Sequence, residues 1–309
     1  MSLVIVGTVA FDEVITPFAE SGKIYGGSGT YASLAASNFN LPRIDVVSVV
    51  GNDFDDTYRE MLTSKNVDLE GLEVKKDGKT FFWKGKYHND MNSRDTLETQ
   101  LNVLEAFDPK LPAKAKEADF LMLGNLTPAV QMKVLEQMNK RPKLVIMDTM
   151  NFWMDIALDE LKAVLKKIDL LTINDEEARQ LSGEHSLVKA ARKIFTMGPK
   201  YLIIKKGEHG ALLFSQNEVF FAPAMPLEDV FDPTGAGDVF AGGFIGYLAH
   251  TNEVTFENLK RGVIYGSALA SFCVEKFGVE RIAEIDRKDL HQRVMDFVKL
   301  SQIEMNLPE

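Results

Sequence analysis

The amino-acid sequence predicts an α/β protein in which helices cover both faces of a mostly parallel sheet. Two observations lead to this prediction. Continuous apolar runs, typical of strands buried on both faces, recur along the chain, and helical patterns separate them. The runs are SLVIVGTVAF, IDVVSVVG, ADFLMLGN, KLVIMDT, IDLLTIN and KYLIIKKG.

Two stretches interrupt this alternation of strands and helices. EVITPFAESGKIYGG follows the first apolar run, and a longer stretch alternates apolar and polar residues around Asp77-Gly78, a hairpin signal. We interpret residues 1–309 as one domain with extra strands from about 12–25 and 72–104, which form a small β-sheet lid. No long Pro- or Ser-rich linker divides the chain.

Composition excludes several classes of partner. The chain has 309 residues, 45% hydrophobic and 26% charged, with a formal net charge of -10. A net negative chain lacks the basic face that nucleic acids and anionic membranes require, whereas local donors can still hold a small phosphorylated ligand. MSLVIVG has no basic region, and no apolar run reaches the roughly 18 residues that span a bilayer. We therefore expect a cytoplasmic protein with a small-molecule substrate.

The stretch FDPTGAGDVFAGGF places very small residues at the start of an apolar helix. Gly235, Ala236 and Gly237 allow the first-turn N–H groups, which have no partner within the helix, to approach an anion closely. Asp238 follows at once and is positioned to take a proton from an attacking hydroxyl. A second interpretation stays open on these residues alone, because an acidic residue in a first turn also complements the helix dipole.

These residues resemble a known family. DPTGAGDVFAGGF is very similar to the C-terminal signature of the ribokinase-like (PfkB) carbohydrate kinases, and GGSGTYASLAA, VGNDF, NDEE and KKGEHGALL resemble further motifs of that family in the expected order. The resemblance implies a three-layer α/β/α sandwich with a small β-sheet lid. It also implies an ATP- and Mg²⁺-dependent kinase that phosphorylates a hydroxyl of a sugar or sugar-like molecule.

The resemblance further implies roles for individual residues. Asp238 would be the catalytic base, and Gly235, Ala236 and Gly237 would form the anion hole. Asn174 and Glu177 would organise Mg²⁺ through water. The residues expected to bind the nucleotide are Asn174, Glu177, Lys205, Gly207, Gly210 and Thr234. Those expected to bind the acceptor are Asp12, Gly26, Gly27, Tyr31 and Asn151.

Plainer interpretations of some of these residues stay open. Asn174-x-x-Glu177 is also the pattern of a helix capping box. Asp12 also fits an acidic turn residue, and Lys205 also fits a solvated strand end.

The chain departs from the family pattern at two positions. Tyr31 stands where many relatives have Asn. The family motif Asp-x-Asn-x-Arg begins here at Asp148, and Trp153 replaces its Arg, which weakens the case for a sugar acid as the substrate. Aromatic residues suited to stacking on a sugar or nucleobase, or equally to packing, are Tyr31, Phe82, Trp83 and Trp153.

Alternative functions follow from the same residues. A nucleoside kinase of the same fold is favoured by the motif DPTGAGD, which also occurs in family members that use nucleosides, and by the aromatic residues. A non-catalytic sugar or nucleotide sensor is disfavoured by the retention of Asp238, Asn174 and Glu177. The pattern Gly27-x-Gly29-x-x-Ala32 fits a dinucleotide fingerprint, but it does not close the first buried strand. A monovalent cation and a homodimer through the lid are left open.

Overall fold

The computed structural model describes residues 1–302, which form two β-sheets with flanking helices. The strands are β1 (Ser2–Val6), β2 (Ala10–Ile15), β3 (Glu20–Gly26), β4 (Arg43–Val50), β5 (Val67–Asp68), β6 (Leu72–Val74), β7 (Phe82–Tyr87), β8 (Arg94–Gln100), β9 (Phe120–Leu123), β10 (Leu144–Asp148), β11 (Leu170–Asn174), β12 (Tyr201–Lys205), β13 (Ala211–Phe214) and β14 (Val219–Ala222). The α-helices are α1 (Ser28–Ala36), α2 (Asp56–Ser64), α3 (Pro128–Gln137), α4 (Asn151–Ile156), α5 (Leu158–Leu165), α6 (Asp175–Ser182), α7 (Leu187–Phe195), α8 (Ala236–Thr251), α9 (Phe256–Cys273), α10 (Glu280–Glu284) and α11 (Arg287–Ser301).

Ten of the strands within residues 1–302 form the main sheet. Their order is β14-β13-β12-β11-β10-β9-β1-β4-β5, with β6 also paired to β4. All pairs are parallel except those joining β12, β13 and β14. Leu3 and Ile5 of β1 pack into a core with α1, α8 and α9, whereas Val4 and Val6 pack into a second core with α3, α5, α6 and α7. The predicted fold class is confirmed.

A separate four-stranded sheet, also within the described residues, has the order β3-β2-β7-β8. The pair β2–β7 is parallel, and the pairs β2–β3 and β7–β8 are antiparallel. The structure differs from the sequence-based boundary at residue 72, because Leu72–Val74 pairs with β4 of the main sheet, where Leu72 is buried. Asp77-Gly78 therefore lies in a connection between the two sheets and does not form a hairpin turn.

Helix α8 packs on α1 with almost no space between the two backbones. A Cβ atom at Gly242 would stand 2.2 Å from the carbonyl oxygen of Ala32, and one at Gly246 would stand 2.8 Å from the Cα atom of Ala36. All nine residues of α1 are buried. The small residues of both helices are therefore required by this contact.

Among residues 1–302, no helix is both long and apolar enough to cross a membrane.

We predict that Gly242→Ala lowers the free energy of unfolding by about 1–3 kcal/mol, because the new methyl group meets a backbone atom that cannot move aside. Gly262→Ala is the matched control, since the nearest atom there is a ring carbon of Phe244 at 3.0 Å and the gain in helix propensity is about 1 kcal/mol. Urea unfolding measures both variants. Equal stability of the two would contradict the proposed backbone contact.

Candidate active site

The carboxyl ends of three neighbouring strands bring polar side chains to one edge of the main sheet. Asp148 ends β10, Asn174 ends β11 and Lys205 ends β12. The three strands are adjacent, and Asn174 pairs directly with Lys205. Ligands of open α/β sheets bind beyond this edge, so these side chains mark the candidate site.

The turn that precedes α8 lies next to this edge, and a buried carboxylate holds its shape. Gly235 has φ 77°, a left-handed conformation that favours glycine. Asp232 is fully buried and accepts hydrogen bonds from the N–H groups of Thr234 at 2.9 Å and Gly278 at 3.0 Å. The side-chain oxygen of Thr234 lies 3.2 Å from the Tyr87 hydroxyl of the small sheet. The turn is thus fixed from two sides.

The same turn presents N–H groups that are free to bind an anion. The N–H of Ala236 donates to the carbonyl oxygen of Pro233 at 3.2 Å. The N–H groups of Gly237 and Asp238 have no acceptor within residues 1–302. A Cβ atom at Gly237 would stand 3.0 Å from the ammonium nitrogen of Lys205. The ammonium group of Lys205 therefore lies beside the turn that carries the unpaired donors.

Carboxylates crowd this space. Burial and the charge of Asp148 raise the pKa of Asp238 to about 7, although the charges of Lys205 and Arg94 oppose this rise. Burial and Asp148 likewise raise the pKa of Glu177 to about 7. Lys205 bonds Asp148 at 3.0 Å. Burial alone would lower the pKa of Lys205, but the neighbouring carboxylates raise it, so the amine stays charged.

Asn174 and Glu177 form a capping box at the start of α6, as one of the two interpretations of this motif expects. The Glu177 carboxylate accepts from the N–H of Asn174 at 2.8 Å, and the Asn174 side chain accepts from the N–H of Glu177 at 2.7 Å. Each side chain keeps further lone pairs for water. The cap therefore orients Glu177 without using all of its oxygen atoms.

The chemistry of this donor set fits Mg²⁺ held through water. Within residues 1–302, no group of three or more His, Cys, Asp or Glu side chains is placed to hold a metal ion alone. Mg²⁺ in kinases is bound by one or two carboxylates together with substrate phosphates and waters. The residues that would hold it are Glu177 and Asn174, close to Asp148. Burial is the main cause of the raised pKa of Glu177, and the charge of Asp148 adds to it; a bound cation would oppose both effects.

Asp12 of β2 lies on the other side of the turn. It is 5% exposed, and burial, followed by the charges of Asp232 and Asp238, raises its pKa to about 7. The N–H of Gly27 hydrogen-bonds its carboxylate. A Cβ atom at Gly26 would stand 1.9 Å from a carboxylate oxygen of Asp12. Glycine at position 26 is therefore required for Asp12 to occupy this place.

Tyr31 of α1 connects the acceptor side to the turn. Its ring lies flat on Gly235, because a Cβ atom there would stand 2.5 Å from three ring carbons. Its hydroxyl is buried and has no hydrogen-bond partner in the described part of the chain. Burial, and then the charges of Asp12 and Asp232, raise the pKa of Tyr31 well above its usual range. This hydroxyl is therefore a buried polar group without a partner that lies near enough to Asp12 and Asp232 to be affected by their charges.

The predicted nucleotide loop follows β12. Gly207 and Gly210 have φ 53° and φ 82° and bracket a single 3-10 turn, Gly207–His209. A Cβ atom at Gly207 would stand 2.8 Å from the side-chain oxygen of Asn92, which lies in the β7–β8 loop. The small sheet thus reaches over this loop.

Asn151 and Trp153 have partners elsewhere. The Asn151 amide donates to Gln180 of α6 at 2.5 Å, and the Trp153 indole N–H donates to Asn125, which follows β9, at 2.8 Å. The structure does not record a contact between Asn151 and Asp12. A role for Asn151 in acceptor binding stays a prediction.

Three residues of the site were not assigned from the sequence. Asp148 ends an apolar run, and this position at the carboxyl edge of a strand is a usable signal. Asp232 precedes a proline in the signature motif, but its bond to Gly278 depends on the fold. Arg94 lies in a polar strand, and only the pairing of β7 with β8 shows where it points.

Comparison with known sequences agrees with this geometry. Residues 5–285 match the sequence profile described as pfkB family carbohydrate kinase. The chain belongs to this family. The cytidine kinase of Thermococcus kodakarensis is 28% identical over 250 residues, covering 79% of this chain and 87% of that protein. The nucleoside kinase of Methanothermobacter thermautotrophicus is 28% identical over 297 residues, covering 90% and 91%.

Comparison with solved structures supports the fold. A structure described as E. coli ribokinase II with ATP and Mg²⁺ bound has a TM-score of 0.79 at 20% identity, covering 96% of this chain and 99% of that one. Kinases of the PfkB family transfer a phosphoryl group to a hydroxyl acceptor. The chain is accordingly a phosphotransferase with an alcohol as acceptor, and the enzyme interpretation is confirmed over the sensor interpretation.

The raised pKa values of three carboxylates predict that the stability of the fold decreases as pH rises. Asp12, Glu177 and Asp238 have a pKa of about 7 when folded and about 4 when unfolded. Their favourable contribution is complete below the unfolded pKa and is lost as pH rises through the folded pKa. Each group should lower the free energy of unfolding by about 1 kcal/mol per pH unit between these values.

Urea unfolding of the ligand-free protein at several pH values measures this decline. Asp238→Asn removes one titrating group and the charge that raises the pKa of Asp12, so its decline should be shallower. Asp77→Asn makes the same chemical change at an exposed loop position and is the control. A decline in Asp238→Asn as steep as in Asp77→Asn would contradict the assigned pKa shift.

Proposed function

We propose that the chain transfers the γ-phosphoryl group of ATP to a hydroxyl of a sugar-like small molecule, with Asp238 as the base. The observation that carries this proposal is the joint position of a partly buried carboxylate, unpaired N–H groups and a charged lysine at the start of α8. Asp238, the N–H of Gly237 and the ammonium group of Lys205 meet there.

The reaction follows from this arrangement. The acceptor hydroxyl gives its proton to Asp238 as its oxygen attacks the γ-phosphorus, and the bond to the bridging oxygen of ADP breaks. Negative charge spreads over the transferring group in such reactions. The N–H groups of Gly237 and Asp238 point at this charge, and Lys205 adds a positive charge. Preorganised donors of this kind contribute about 3–4 kcal/mol each in other enzymes.

Mg²⁺, when bound, would neutralise negative charge on the phosphate groups of ATP. Glu177 and Asn174 would hold it through water, and the capping box keeps Glu177 in place for this task. Asp148 keeps Lys205 next to the turn by their 3.0 Å ion pair. Gly207 and Gly210 shape the loop that would lie along the nucleotide.

Among sugar-like acceptors we favour a nucleoside. Trp83 is the register partner of Asp12 in the β2–β7 pair, and its indole is only partly buried. Partners in a ladder present their side chains on the same face, so an acceptor whose hydroxyls reach Asp12 has an aromatic surface beside it. Both archaeal relatives are kinases whose names specify a nucleoside or cytidine. A nucleobase would place a larger flat aromatic surface on Trp83 than the C–H face of a free sugar would.

We predict that Asp238→Asn lowers turnover by about 10²–10⁴-fold, because the attacking hydroxyl loses its base. ADP release is measured with ATP and Mg²⁺ across sugars, polyols and nucleosides. Asp77→Asn serves as the control. Near-normal turnover in Asp238→Asn would exclude it as the base, and a signal with free sugars but not nucleosides would exclude the favoured acceptor.

Tyr31→Phe tests the acceptor pocket. Removing a buried hydroxyl that lacks a partner should raise the free energy of unfolding by about 1–3 kcal/mol, while kcat/KM for the acceptor falls about tenfold as a hydrogen bond is lost. The control is Tyr58→Phe, since the Tyr58 hydroxyl bonds Thr30 at 2.6 Å and Gly26 at 2.7 Å and its removal should destabilise the fold. Destabilisation by Tyr31→Phe, or unchanged kcat/KM, would contradict this role.

A further inference from the structure

One face of the small sheet is turned toward the active site. Tyr87 of β7 lies on this face, because its hydroxyl lies 3.2 Å from the side-chain oxygen of Thr234 in the turn before α8. Tyr87 is directly opposite Arg94 of β8. Opposite residues of an antiparallel pair point to the same face. The guanidinium group of Arg94 is therefore directed toward the same turn.

An aromatic platform supports Arg94 on this face. The Trp83 indole lies over Gly85, where a Cβ atom would stand 2.1 Å from the ring. Its N–H donates to Thr96 at 3.2 Å. The Cζ atom of Arg94 lies 5.8 Å from the centre of this ring, within the range of a cation–π contact. The side chain is thus held over a rigid surface.

Arg94 differs from the other cation near the site. Lys205 is already paired with Asp148 at 3.0 Å. Among residues 1–302, Arg94 has no carboxylate within 4.0 Å. Its charge nevertheless acts on Asp238 and Glu177, where it opposes the upward shift of each pKa. The guanidinium group of Arg94 is therefore close to the proposed phosphate site but forms no ion pair with a carboxylate of the described residues.

We propose that Arg94 binds the transferring phosphoryl group, as a catalytic residue that the small sheet contributes. This inference rests on the proposed function. A guanidinium group offers planar, paired N–H donors that match phosphate oxygens. Arg94 adds positive charge from the small sheet, whereas the N–H groups of Gly237 and Asp238 belong to the first turn of α8. The tip of the same hairpin contacts the nucleotide loop through Asn92 and Gly207, so the hairpin extends over the region where the phosphates would lie.

The test compares Arg94→Ala, Arg94→Lys and Lys86→Ala in the full chain. Lys86 precedes Tyr87 on β7, so its side chain points to the opposite face, and it is exposed. With ATP, Mg²⁺ and the best acceptor, Arg94→Ala should lower kcat about 10²-fold or more. Arg94→Lys should keep part of the activity, and millimolar guanidinium ion should restore part of the activity of Arg94→Ala. Lys86→Ala should match the wild type.

Arg94→Ala with a kcat within about threefold of Lys86→Ala would overturn the proposal. If the wild type phosphorylates no acceptor, the proposed function fails, and Arg94 is judged by nucleotide affinity alone. Arg94→Ala must then weaken the binding of ATP with Mg²⁺ about tenfold more than that of ADP, because only ATP carries the group that Arg94 contacts. Equal losses for both nucleotides would overturn the proposal in that case as well.

Discussion

The contact between α1 and α8 fixes where the two halves of the site lie. Gly242 leaves α8 resting on the backbone of α1 at Ala32, and about two turns earlier the ring of Tyr31 lies flat on Gly235. Under the proposed function, α1 carries the acceptor side and α8 begins at the turn that would face the phosphates. Because these helices meet without intervening side chains, the separation between acceptor and base is set by backbone geometry. Orientation of this kind lowers barriers by several kcal/mol in intramolecular reactions.

The site lowers the stability of the ligand-free fold. Asp148, Glu177 and Asp238 surround one partly buried lysine, and the pKa values of Glu177 and Asp238 rise to about 7 as a result of burial and of the charge of Asp148. The hydroxyl of Tyr31 adds a buried group without a partner in the described chain. Ligands would supply what is missing, because Mg²⁺ would bring positive charge to the carboxylates and an acceptor hydroxyl would bring a hydrogen bond. Functional sites commonly reduce stability in this way.

The sequence predicted the parts of the fold and site that local patterns encode. The buried strands, the start of α8 near Ala236 and the packing of its glycines follow from apolar runs and residue size, and the structure confirms them. The pairing of strands that are distant in the sequence was harder to predict. Leu72 alternates with polar neighbours like a lid strand, yet it pairs with β4. Arg94 carries no local signal, because its direction depends on the register between β7 and β8. Asp148 had a signal in its position at a strand end.

The small sheet carries both the carboxylate proposed to bind the acceptor and the guanidinium group proposed to bind the phosphoryl group. Asp12 lies on β2 and Arg94 on β8, and the ladder β2-β7-β8 joins them through continuous pairing. Because continuous pairing joins these strands, any displacement of the small sheet would carry the Asp12 carboxylate and the Arg94 guanidinium group away from the proposed phosphate site together.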